Sequence, residues 1–383
     1  MIPKAVSPVP GARPWDAVVR VGIDVTPLLR QRTGIAVCTE LVLGLVKAAG
    51  HEPIGLASGY RTLDGKMPDL GMPVRRNWVP WLAERLFTDL LRRPTVEDLV
   101  GRVDAYIATN HVVLPARRAR NIALVHDVGR LTHPHLYGSR QVWRFRHLAR
   151  RLARFADTFV VPTEAVAGEL VGLGIGTRDR IHVVPWFARL LPATGAGLPS
   201  GVPDDLPLIL CVATLERRKN IPHLVRAFQR AAHAVPHHLV VAGGAGPSLE
   251  EALSVARSNG AADRIHFIGH AGAEQLGALY RKADLAVCPS LYEGFGLPLV
   301  EAMAHGCPVM ASDIPVHREV GGGAIRLVPP NDEDALVEAL VDLSRDQGAR
   351  LTLRRLGLER TRDFSPDRTR RLLGEAFSWR SAP

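Results

Sequence analysis

The chain has 383 residues, 46% of them hydrophobic and 22% charged, which is an ordinary balance for a globular protein and enough length for two domains. Four cysteines without CxxC spacing, fifteen histidines without HExxH spacing and no long uncharged apolar run argue against a disulfide framework, a metal motif and a transmembrane helix. The net charge of +10 suits acidic substrates, an anionic membrane surface or nucleic acid, but no RRM, KH, helix-turn-helix or zinc-finger pattern supports nucleic acid.

The first half of the chain alternates strand-like and helix-like segments. Residues 1–17 carry prolines where a signal peptide needs an apolar core, so we expect a loose leader there. A helix is predicted over about Ile35–Ala49. Six apolar runs predict strands, namely Val18–Val25, Glu52–Ala57, Ala105–Thr109, Asn121–His126, Thr158–Pro162 and Ile181–Pro185. These elements predict a first domain over residues 18–188.

The stretch Ser139–Ala156 is strongly basic and interleaved with apolar residues. It contains arginines at positions 140, 144, 146, 150, 151 and 154 and no acid before Asp157. One interpretation is an amphipathic helix on an anionic membrane, assisted by the region Arg75–Arg93 with Trp78, Trp81 and Phe87. The other is a crossover helix with a solvated arginine face, which explains the pattern equally well.

The second half repeats the alternation after a linker rich in proline and glycine, residues 189–206. Strands are predicted at Pro207–Ala213, His238–Ala242, Ile265–Ile268, Leu285–Pro289, Pro308–Ala311 and Ala324–Val328. Helices are predicted near 222–235, 248–258, 274–282, 298–305 and 315–320. This predicts a second domain over residues 207–363, followed by a terminal segment, 364–383, with a helix at Pro366–Trp379.

Alternating strands and helices of this kind are typical of parallel sheets with crossover helices. The predicted fold class is therefore α/β, with two Rossmann-like, doubly wound domains facing across a cleft. Such domains bind ligands at the carboxyl ends of their strands, so we expect the functional residues in that cleft.

Two carboxylates, Glu293 and Glu301, bracket a turn that contains two glycines and leads from an apolar strand into a helix. Pro298 is expected to open this helix and Gly306 to end it. If the whole span were helical, roughly 12 Å of rise would separate the carboxylates, whereas on a turn both can face one pocket. The amides of the turn favour an anion, and carboxylates beside an anion suit the hydroxyls of a sugar. The alternative is a turn with helix-capping acids.

A basic pair, Arg218 and Lys219, follows the strand that ends near Ala213. Positive charge at the cleft edge suits a departing diphosphate and could lower its barrier by ~3–4 kcal/mol. The alternative is a solvated basic turn in which Asn220 caps the next helix.

Polar residues also follow predicted strands in the first half. His126 and the adjacent Asp127 end an apolar strand and can face the cleft, although a buried, satisfied histidine is the alternative. Gly34 opens the first helix, where a glycine lets a ligand approach the backbone or simply begins the helix. His133 and His135 predict a structural turn.

Several segments occur in a characteristic order along the chain. The carboxylate pair has Glu-x7-Glu spacing, and the basic pair lies within Thr214–Asn220. Further segments are Gly22–Thr26, Thr33–Ile35, His126–Val128, His266–Gly269 and Ser312–Gly321. In this order they resemble retaining glycosyltransferases of the large GT-B family 4, over about residues 18–375 and less closely in the first half.

The resemblance implies a GT-B fold in which residues 364–383 cross back to the first domain. It implies a front-side displacement in which the leaving phosphate takes the acceptor proton, with no metal and no cofactor beyond a nucleotide-sugar co-substrate. Glu293 and His126 would be the catalytic residues, and Glu301 would bind the ribose hydroxyls. The other donor-binding positions would be Thr214, Arg218, Lys219, Phe267, Ile268, Gly294, Phe295, Gly296 and Leu297. Thr33, Gly34 and Asp127 would form an acceptor or phosphate loop.

The segment Thr214–Asn220, which contains the basic pair, and the turn that begins at Glu293 look most like those of mannosyl- and rhamnosyltransferases of surface polysaccharide assembly. The first hypothesis is therefore hexose transfer, with GDP-mannose as the first guess for the donor and a glycan or polyprenyl-linked acceptor. We expect a cytoplasmic protein, peripheral at the inner face of the cytoplasmic membrane if the basic helix binds lipid. The alternatives are a non-catalytic nucleotide-sugar-binding subunit of a polysaccharide assembly complex, or a GT-B-shaped epimerase or phosphorylase.

Overall fold

The computed structural model describes residues 19–29, 34–58, 69–77, 88, 91–192, 197–258 and 260–377. These residues form two compact units. The first unit contains the described residues of 1–132, 139–186 and 367–383, and the second contains those of 133–138 and 187–366. Predictions for some positions fall outside the described residues, namely the leader 1–17, Val18, Thr33, Trp78, Trp81, Phe87, residues 193–196 of the linker and Trp379.

The first unit is built on a parallel sheet of seven strands. They are β1 (Arg20–Asp24), β2 (Glu52–Ser58), β3 (Val74–Asn77), β4 (Ala105–Ala108), β5 (Arg120–Leu124), β6 (Thr158–Val161) and β7 (Ile181–Val183). Their spatial order is β3-β2-β1-β4-β5-β6-β7, and each neighbouring pair is parallel. The order reverses at β1, which is the doubly wound pattern. The sequence prediction missed β3 because three of its four residues are polar.

Helices of the first unit cover its sheet and bury their apolar sides. They are α1 (Gly34–Ala48), α2 (Val96–Val100), α3 (Gly129–Thr132), α4 (Ser139–Phe155) and α5 (Glu164–Gly172). The predicted basic helix is α4, which packs inward through its apolar residues, among them Phe145 and Leu152. Arg151 is also buried, and its Nε donates to the Val113 carbonyl at 3.2 Å. The interpretation of α4 as a helix with a solvated arginine face therefore does not extend to Arg151.

The second unit is built on a parallel sheet of six strands. They are β8 (Leu208–Val212), β9 (His238–Ala242), β10 (Ile265–Gly269), β11 (Leu285–Cys288), β12 (Val309–Ser312) and β13 (Arg326–Val328). Their order is β10-β9-β8-β11-β12-β13, again with parallel neighbours and a reversal at β8. All six match predicted strands, because their buried apolar runs are the strongest signal a parallel sheet leaves in a sequence.

Helices alternate with these strands, and the first five match predicted helices, whereas the last two, over residues 333–345 and 347–360, were not predicted. They are α6 (Ile221–Ala231), α7 (Leu249–Arg257), α8 (Ala273–Lys282), α9 (Leu297–Ala304), α10 (Pro315–Gly321), α11 (Glu333–Arg345) and α12 (Gln347–Arg360). Asn220 occupies the N-cap position of α6, as predicted, but it adopts a left-handed conformation with φ of 55° and its side chain does not make the expected capping hydrogen bond. Its side-chain amide donates instead to the Pro330 carbonyl at 3.2 Å, which fixes the start of α6 to a neighbouring loop.

A final helix, α13 (Pro366–Phe377), groups from residue 367 onward with the first unit. There Thr369 Oγ1 donates to the Pro185 carbonyl at 2.9 Å. In the second unit, Ala188 N donates to the Phe364 carbonyl at 2.9 Å, so the segment just after Trp186 already lies with that unit. Across the described ranges, no helix combines the length and apolarity that crossing a membrane would require.

Candidate functional site

The loops that follow β8 and β11 lie side by side in the second unit. The two strands are parallel neighbours, so residues beyond their carboxyl ends meet at one edge of the sheet. Leu291 N donates to the Arg218 carbonyl at 2.7 Å, which ties the loops together. Lys219 ends a short 3-10 turn and is only 7% exposed, so the alternative of a solvated basic turn is wrong for this residue.

Glu293 binds both members of the basic pair. Its Oε2 accepts from Arg218 Nη1 at 2.9 Å, and its Oε1 pairs with Lys219 Nζ. Ser290 Oγ donates to the same Oε1 at 2.8 Å, and Arg218 Nε is bound by Glu216 Oε2 at 2.7 Å. The two cations are therefore held in place by carboxylates before any ligand engages them. This is the preorganised arrangement that electrostatic stabilisation of a developing charge requires.

The electrostatic balance at Glu293 keeps its carboxylate charged. Burial alone would raise the pKa of Glu293, but the charges of Lys219 and Arg218 outweigh it and lower the pKa to about 2. At neutral pH this group holds no proton to donate. It can accept hydrogen bonds or stabilise a neighbouring positive charge.

A chain of hydrogen bonds runs from the Glu293 turn to His317, which the sequence analysis did not single out. The Ser312 hydroxyl donates to the Ser290 carbonyl, and His317 Nδ1 lies 2.9 Å from the Ser312 carbonyl. His317 is fully buried, and its Nε2 has no hydrogen-bond partner among the described residues. Burial lowers the pKa of His317 although Glu293 opposes the shift, so the neutral ring donates through Nδ1 and leaves Nε2 as an acceptor.

The turn after Glu293 offers backbone groups rather than side chains. Gly296 has φ of 84°, a left-handed conformation that favours glycine, and α9 begins directly after it. As predicted, Pro298 lies in the first turn of α9 and Gly306 follows its end. Phe295 packs edge-on against Phe364, with ring centroids 5.6 Å apart, so only its backbone is free to face a ligand. The amides at the start of α9 suit an anion.

Glu301, on α9, has a different set of partners. Its Oε1 accepts from Arg189 Nε at 2.8 Å, and its Oε2 accepts from the Tyr280 hydroxyl at 3.3 Å. Glu301 is 4% exposed. The sequence predicts that both carboxylates address neutral hydroxyls in one pocket, whereas Glu293 is paired with Arg218 and Lys219 and Glu301 with Arg189. Nothing in the sequence signals the contact with Arg189, which lies in the predicted linker.

The remaining predicted donor positions lie at the ends of β8 and β10. Thr214 is exposed just beyond β8, and the loop after β9 approaches it closely, since a Cβ on Gly243 would lie 1.9 Å from the Ala213 carbonyl. Phe267 and Ile268 are half-buried near the carboxyl end of β10. Both therefore lie at the edge of the sheet where a parallel fold binds its ligands.

His133, predicted as part of a structural turn, contacts the Glu293 turn. Its ring lies 4.7 Å from the ring of Tyr292, measured between centroids. Residues 133–138 group with the second unit although both flanking segments belong to the first. Sequence spacing could not reveal this contact, because 159 positions separate the two rings along the chain.

The predicted residues of the first unit lie near the carboxyl ends of its central strands. His126 Nε2 lies 2.8 Å from the Thr109 carbonyl, and burial lowers the pKa of His126 although that bond and Asp127 oppose the shift. The ring is therefore neutral, with its proton on Nε2 and Nδ1 left as an acceptor. Asp127 Oδ1 accepts from Gly129 N at 3.2 Å, and Gly34 is exposed at the first residue of α1.

His111 is a neighbour of His126 that the sequence analysis missed. Its φ of 59° lies in the left-handed region, which is rare for a residue with a side chain. Its ring lies 5.8 Å from that of His126, and its buried Nε2 finds no hydrogen-bond partner within the part of the chain that the structure describes. Burial, reinforced by His126, lowers the pKa of His111 to about 3. Strained, buried polar residues of this kind cluster at functional sites.

Within the described ranges, no group of three or more His, Cys, Asp or Glu side chains is arranged to hold a metal ion. The four cysteines are free thiols. The positive charge next to Glu293 comes from Arg218 and Lys219.

Two family models match the chain. Residues 33–186 match the family described as "Glycosyl transferase 4-like domain", and residues 199–359 match "Glycosyl transferases group 1". O-antigen chain mannosyltransferase B of Escherichia coli is 27% identical over 66% of this chain and 68% of its own length. A D-inositol 3-phosphate glycosyltransferase of Nocardia farcinica is 34% identical over 53% of this chain, but the match spans only 48% of that relative's length.

Solved structures agree with this fold over nearly the whole chain. Sucrose-phosphate synthase from Thermosynechococcus elongatus has a TM-score of 0.71 at 20% identity, covering 94% of this chain and 98% of its own. HepE of Anabaena, solved with UDP-glucose, has a TM-score of 0.70 at 17% identity, covering 93% and 98%. The predicted GT-B class of two doubly wound sheets is confirmed. Both halves are thus matched in order: the chain carries a glycosyl transferase 4-like domain at residues 33–186, followed by a glycosyltransferase group 1 domain at residues 199–359.

Proposed function

We propose that the protein is a retaining glycosyltransferase that moves a hexose from a nucleoside-diphosphate sugar to a glycan or lipid-linked acceptor. The observation that carries this proposal is the buried cluster of Arg218, Lys219 and Glu293 at the carboxyl edge of the second sheet. Buried charges are costly unless they are paired and hydrogen-bonded, so such a cluster is uncommon in a protein interior. A site that holds two cations beside a helix N-terminus is suited to a diphosphate.

In the proposed reaction, the bond between the anomeric carbon and the diphosphate oxygen breaks, and a bond from that carbon to an acceptor hydroxyl oxygen forms. The electron pair stays with the diphosphate, whose leaving oxygen takes the acceptor proton. Arg218 and Lys219 stabilise the negative charge that develops there, a contribution of ~3–4 kcal/mol per well-placed donor. Because these side chains supply the positive charge, the proposal requires no metal ion.

The two carboxylates have separate tasks in this proposal. Glu293, ionised at neutral pH, accepts hydrogen bonds from the transferred sugar and stabilises the positive charge on its anomeric carbon. Glu301 accepts hydrogen bonds from the ribose. The backbone from Gly294 to Leu297 contacts the phosphates, and Phe267 and Ile268 flank the base. For His126, Asp127 and Gly34 we propose roles in binding the transferred sugar and the acceptor.

GDP-mannose is the first donor that we propose, since relatives of this chain include mannosyltransferases. The structure of HepE was solved with UDP-glucose, so the preference of this protein for one nucleotide base has to be measured rather than assumed. We further propose an acceptor in surface polysaccharide synthesis, reached from the cytoplasmic side.

Nucleotide-dependent thermal stability tests the donor site. GDP, UDP, dTDP and ADP would each be added to the protein and to its Lys219→Ala variant. A ligand at about 100 times its dissociation constant stabilises by about 2.7 kcal/mol, which raises Tm by roughly 5–10 °C for a unit of this size. We expect one base to shift the wild type and not the variant. If no nucleotide shifted the wild type, the donor site would be refuted and a role without nucleotide binding would replace it.

We also propose that α4 binds an anionic membrane. Five of its arginines are exposed, as is 44% of Trp143. A cation near an anionic surface contributes about 1 kcal/mol. Reversing Arg144 and Arg150 to glutamate should therefore abolish co-sedimentation with phosphatidylglycerol vesicles at low salt, while the same reversals at Arg257 and Arg362 should not. Equal binding to neutral phosphatidylcholine vesicles would contradict the proposal.

A further inference from the structure

The six residues Phe187–Pro192, which we call the strap, lie along the second unit and are fixed to it at several points. Ala188 N donates to the Phe364 carbonyl at 2.9 Å, and Leu191 N lies 3.1 Å from His305 Nε2. The Pro192 carbonyl accepts from Arg281 Nη2 at 3.3 Å. It also passes so close to Gly277 that a Cβ there would lie 2.6 Å away. The strap is therefore a docked segment and not a loose linker.

Arg189 reaches from the middle of the strap to Glu301. Its Nε and Nη2 lie 2.8 and 2.7 Å from Oε1 of that carboxylate. On the other side, the Tyr280 hydroxyl binds Oε2 at 3.3 Å. Burial, with a contribution from Glu301, raises the pKa of Tyr280 well above its usual value, so Tyr280 stays a neutral donor. Both oxygens of Glu301 are thus oriented by a donor.

These contacts leave acceptor capacity on the carboxylate. Each carboxylate oxygen has two lone-pair directions. Oε1 is approached by both Nε and Nη2 of Arg189, whereas Oε2 has a single donor among the contacts above, the Tyr280 hydroxyl. A carboxylate held from two sides in this way cannot rotate freely. It therefore presents the remaining lone pair of Oε2 in a fixed direction, which suits a hydroxyl more than a phosphate.

We infer that Arg189 is a positioning residue of the donor site, which holds Glu301 in the orientation that reads the ribose hydroxyls of the nucleotide. This inference rests on the proposed function, because it assigns to Arg189 a part in the recognition that Glu301 performs. Arg189 lies outside both matched family segments, which end at residue 186 and begin at residue 199. The strap thereby makes the ribose site depend on the segment that immediately follows the first unit in sequence.

The test compares affinities for GDP and UDP with those for their 2′,3′-dideoxy forms. Loss of hydrogen bonds to a charged acceptor should weaken binding of the dideoxy form to the wild type by roughly 10- to 100-fold. In the Arg189→Gln variant, the ratio of the affinity for the nucleotide to the affinity for its dideoxy form should fall to about threefold or less. The nucleotide loses affinity in this variant, whereas the dideoxy form does not. Arg189→Lys, which keeps the charge, should restore part of this affinity ratio. It replaces the glutamine variant in the test if that variant folds poorly. Arg281→Gln, which removes a strap contact away from Glu301, should keep the wild-type ratio.

The outcomes separate the inference from the proposed function. If the wild type discriminates the ribose and both Arg189 variants keep its full ratio, Arg189 has only a structural role and the inference is overturned. If the wild type binds nucleotides without discriminating the ribose, Glu301 does not read the hydroxyls and the inference falls while the donor site stands. If the wild type binds neither GDP nor UDP in either form, both the inference and the site for these bases are refuted.

Discussion

Replacing Lys219 with alanine should slow nucleotide-dependent glycosyl transfer by roughly 10²–10³-fold, the loss found when one preorganised donor to a developing negative charge is removed. Lys219 is 7% exposed and paired with Glu293, so water cannot easily replace its charge. Truncation also leaves the buried Glu293 with one fewer cation, which costs stability as well as rate. The measurement is kcat at saturating donor.

Arg217 provides the matched control. It lies in the same short turn and carries the same charge, but it is exposed. Arg217→Ala should change kcat by less than about threefold, because exposed charges are screened and contribute little. Equal losses in the two variants would show that the general positive charge of the turn, and not the buried lysine, supports the reaction.

Replacing Glu293 with glutamine should lower the free energy of unfolding by roughly 3 kcal/mol at pH 7, and the difference should shrink as the solution becomes acidic. The folded-state pKa of Glu293 is about 2, below the ordinary 4.5. A carboxyl whose folded pKa is lowered contributes its full stability above the unfolded pKa and loses it as pH falls towards the folded pKa. The stability difference between wild type and variant should therefore be complete above about pH 5 and reduced by more than half at pH 3.

Urea unfolding at pH 7, 5, 4 and 3 measures this difference. The control is Glu52→Gln, since Glu52 pairs with Arg20 on the surface and both side chains are more than half exposed. Such a pair contributes at most about 1 kcal/mol, so little pH dependence is expected from its removal. A Glu293→Gln variant whose deficit is the same at pH 3 and pH 7 would contradict the account of its charge.

The sequence predicted the strands of the second unit well because a parallel sheet buried on both faces leaves continuous apolar runs. Leu285–Cys288 and His238–Ala242 are such runs. The helix after the carboxylate turn was predicted from Pro298 and Gly306, whose backbone preferences mark helix ends. By contrast, β3 could not be recognised, since its sequence Val-Arg-Arg-Asn lacks the apolar pattern.

The contacts within the site could not be predicted from the sequence. Glu293 lies 74 positions from Lys219 and Glu301 lies 112 positions from Arg189, and only the fold brings these charges together. His111 and His317 left no signal either, because a neutral buried histidine has no characteristic spacing. Sequence motifs indicated which residues are candidates for the site. They could not indicate the partners of these residues, and therefore could not indicate their protonation states.

The most direct test of the proposed glycosyl transfer is to measure the release of nucleoside diphosphate from nucleotide sugars by the purified protein. GDP-mannose, UDP-glucose, dTDP-rhamnose and ADP-glucose would each be incubated with the wild type and the Lys219→Ala variant, with and without acceptor-containing membrane extract. We predict that one donor releases nucleoside diphosphate, that the acceptor stimulates this release, and that the Lys219→Ala variant loses it. The transferred sugar should be recovered in a glycan with its anomeric configuration unchanged. Acceptor-stimulated release that the variant retains in full, or a transferred sugar with inverted configuration, would contradict this prediction.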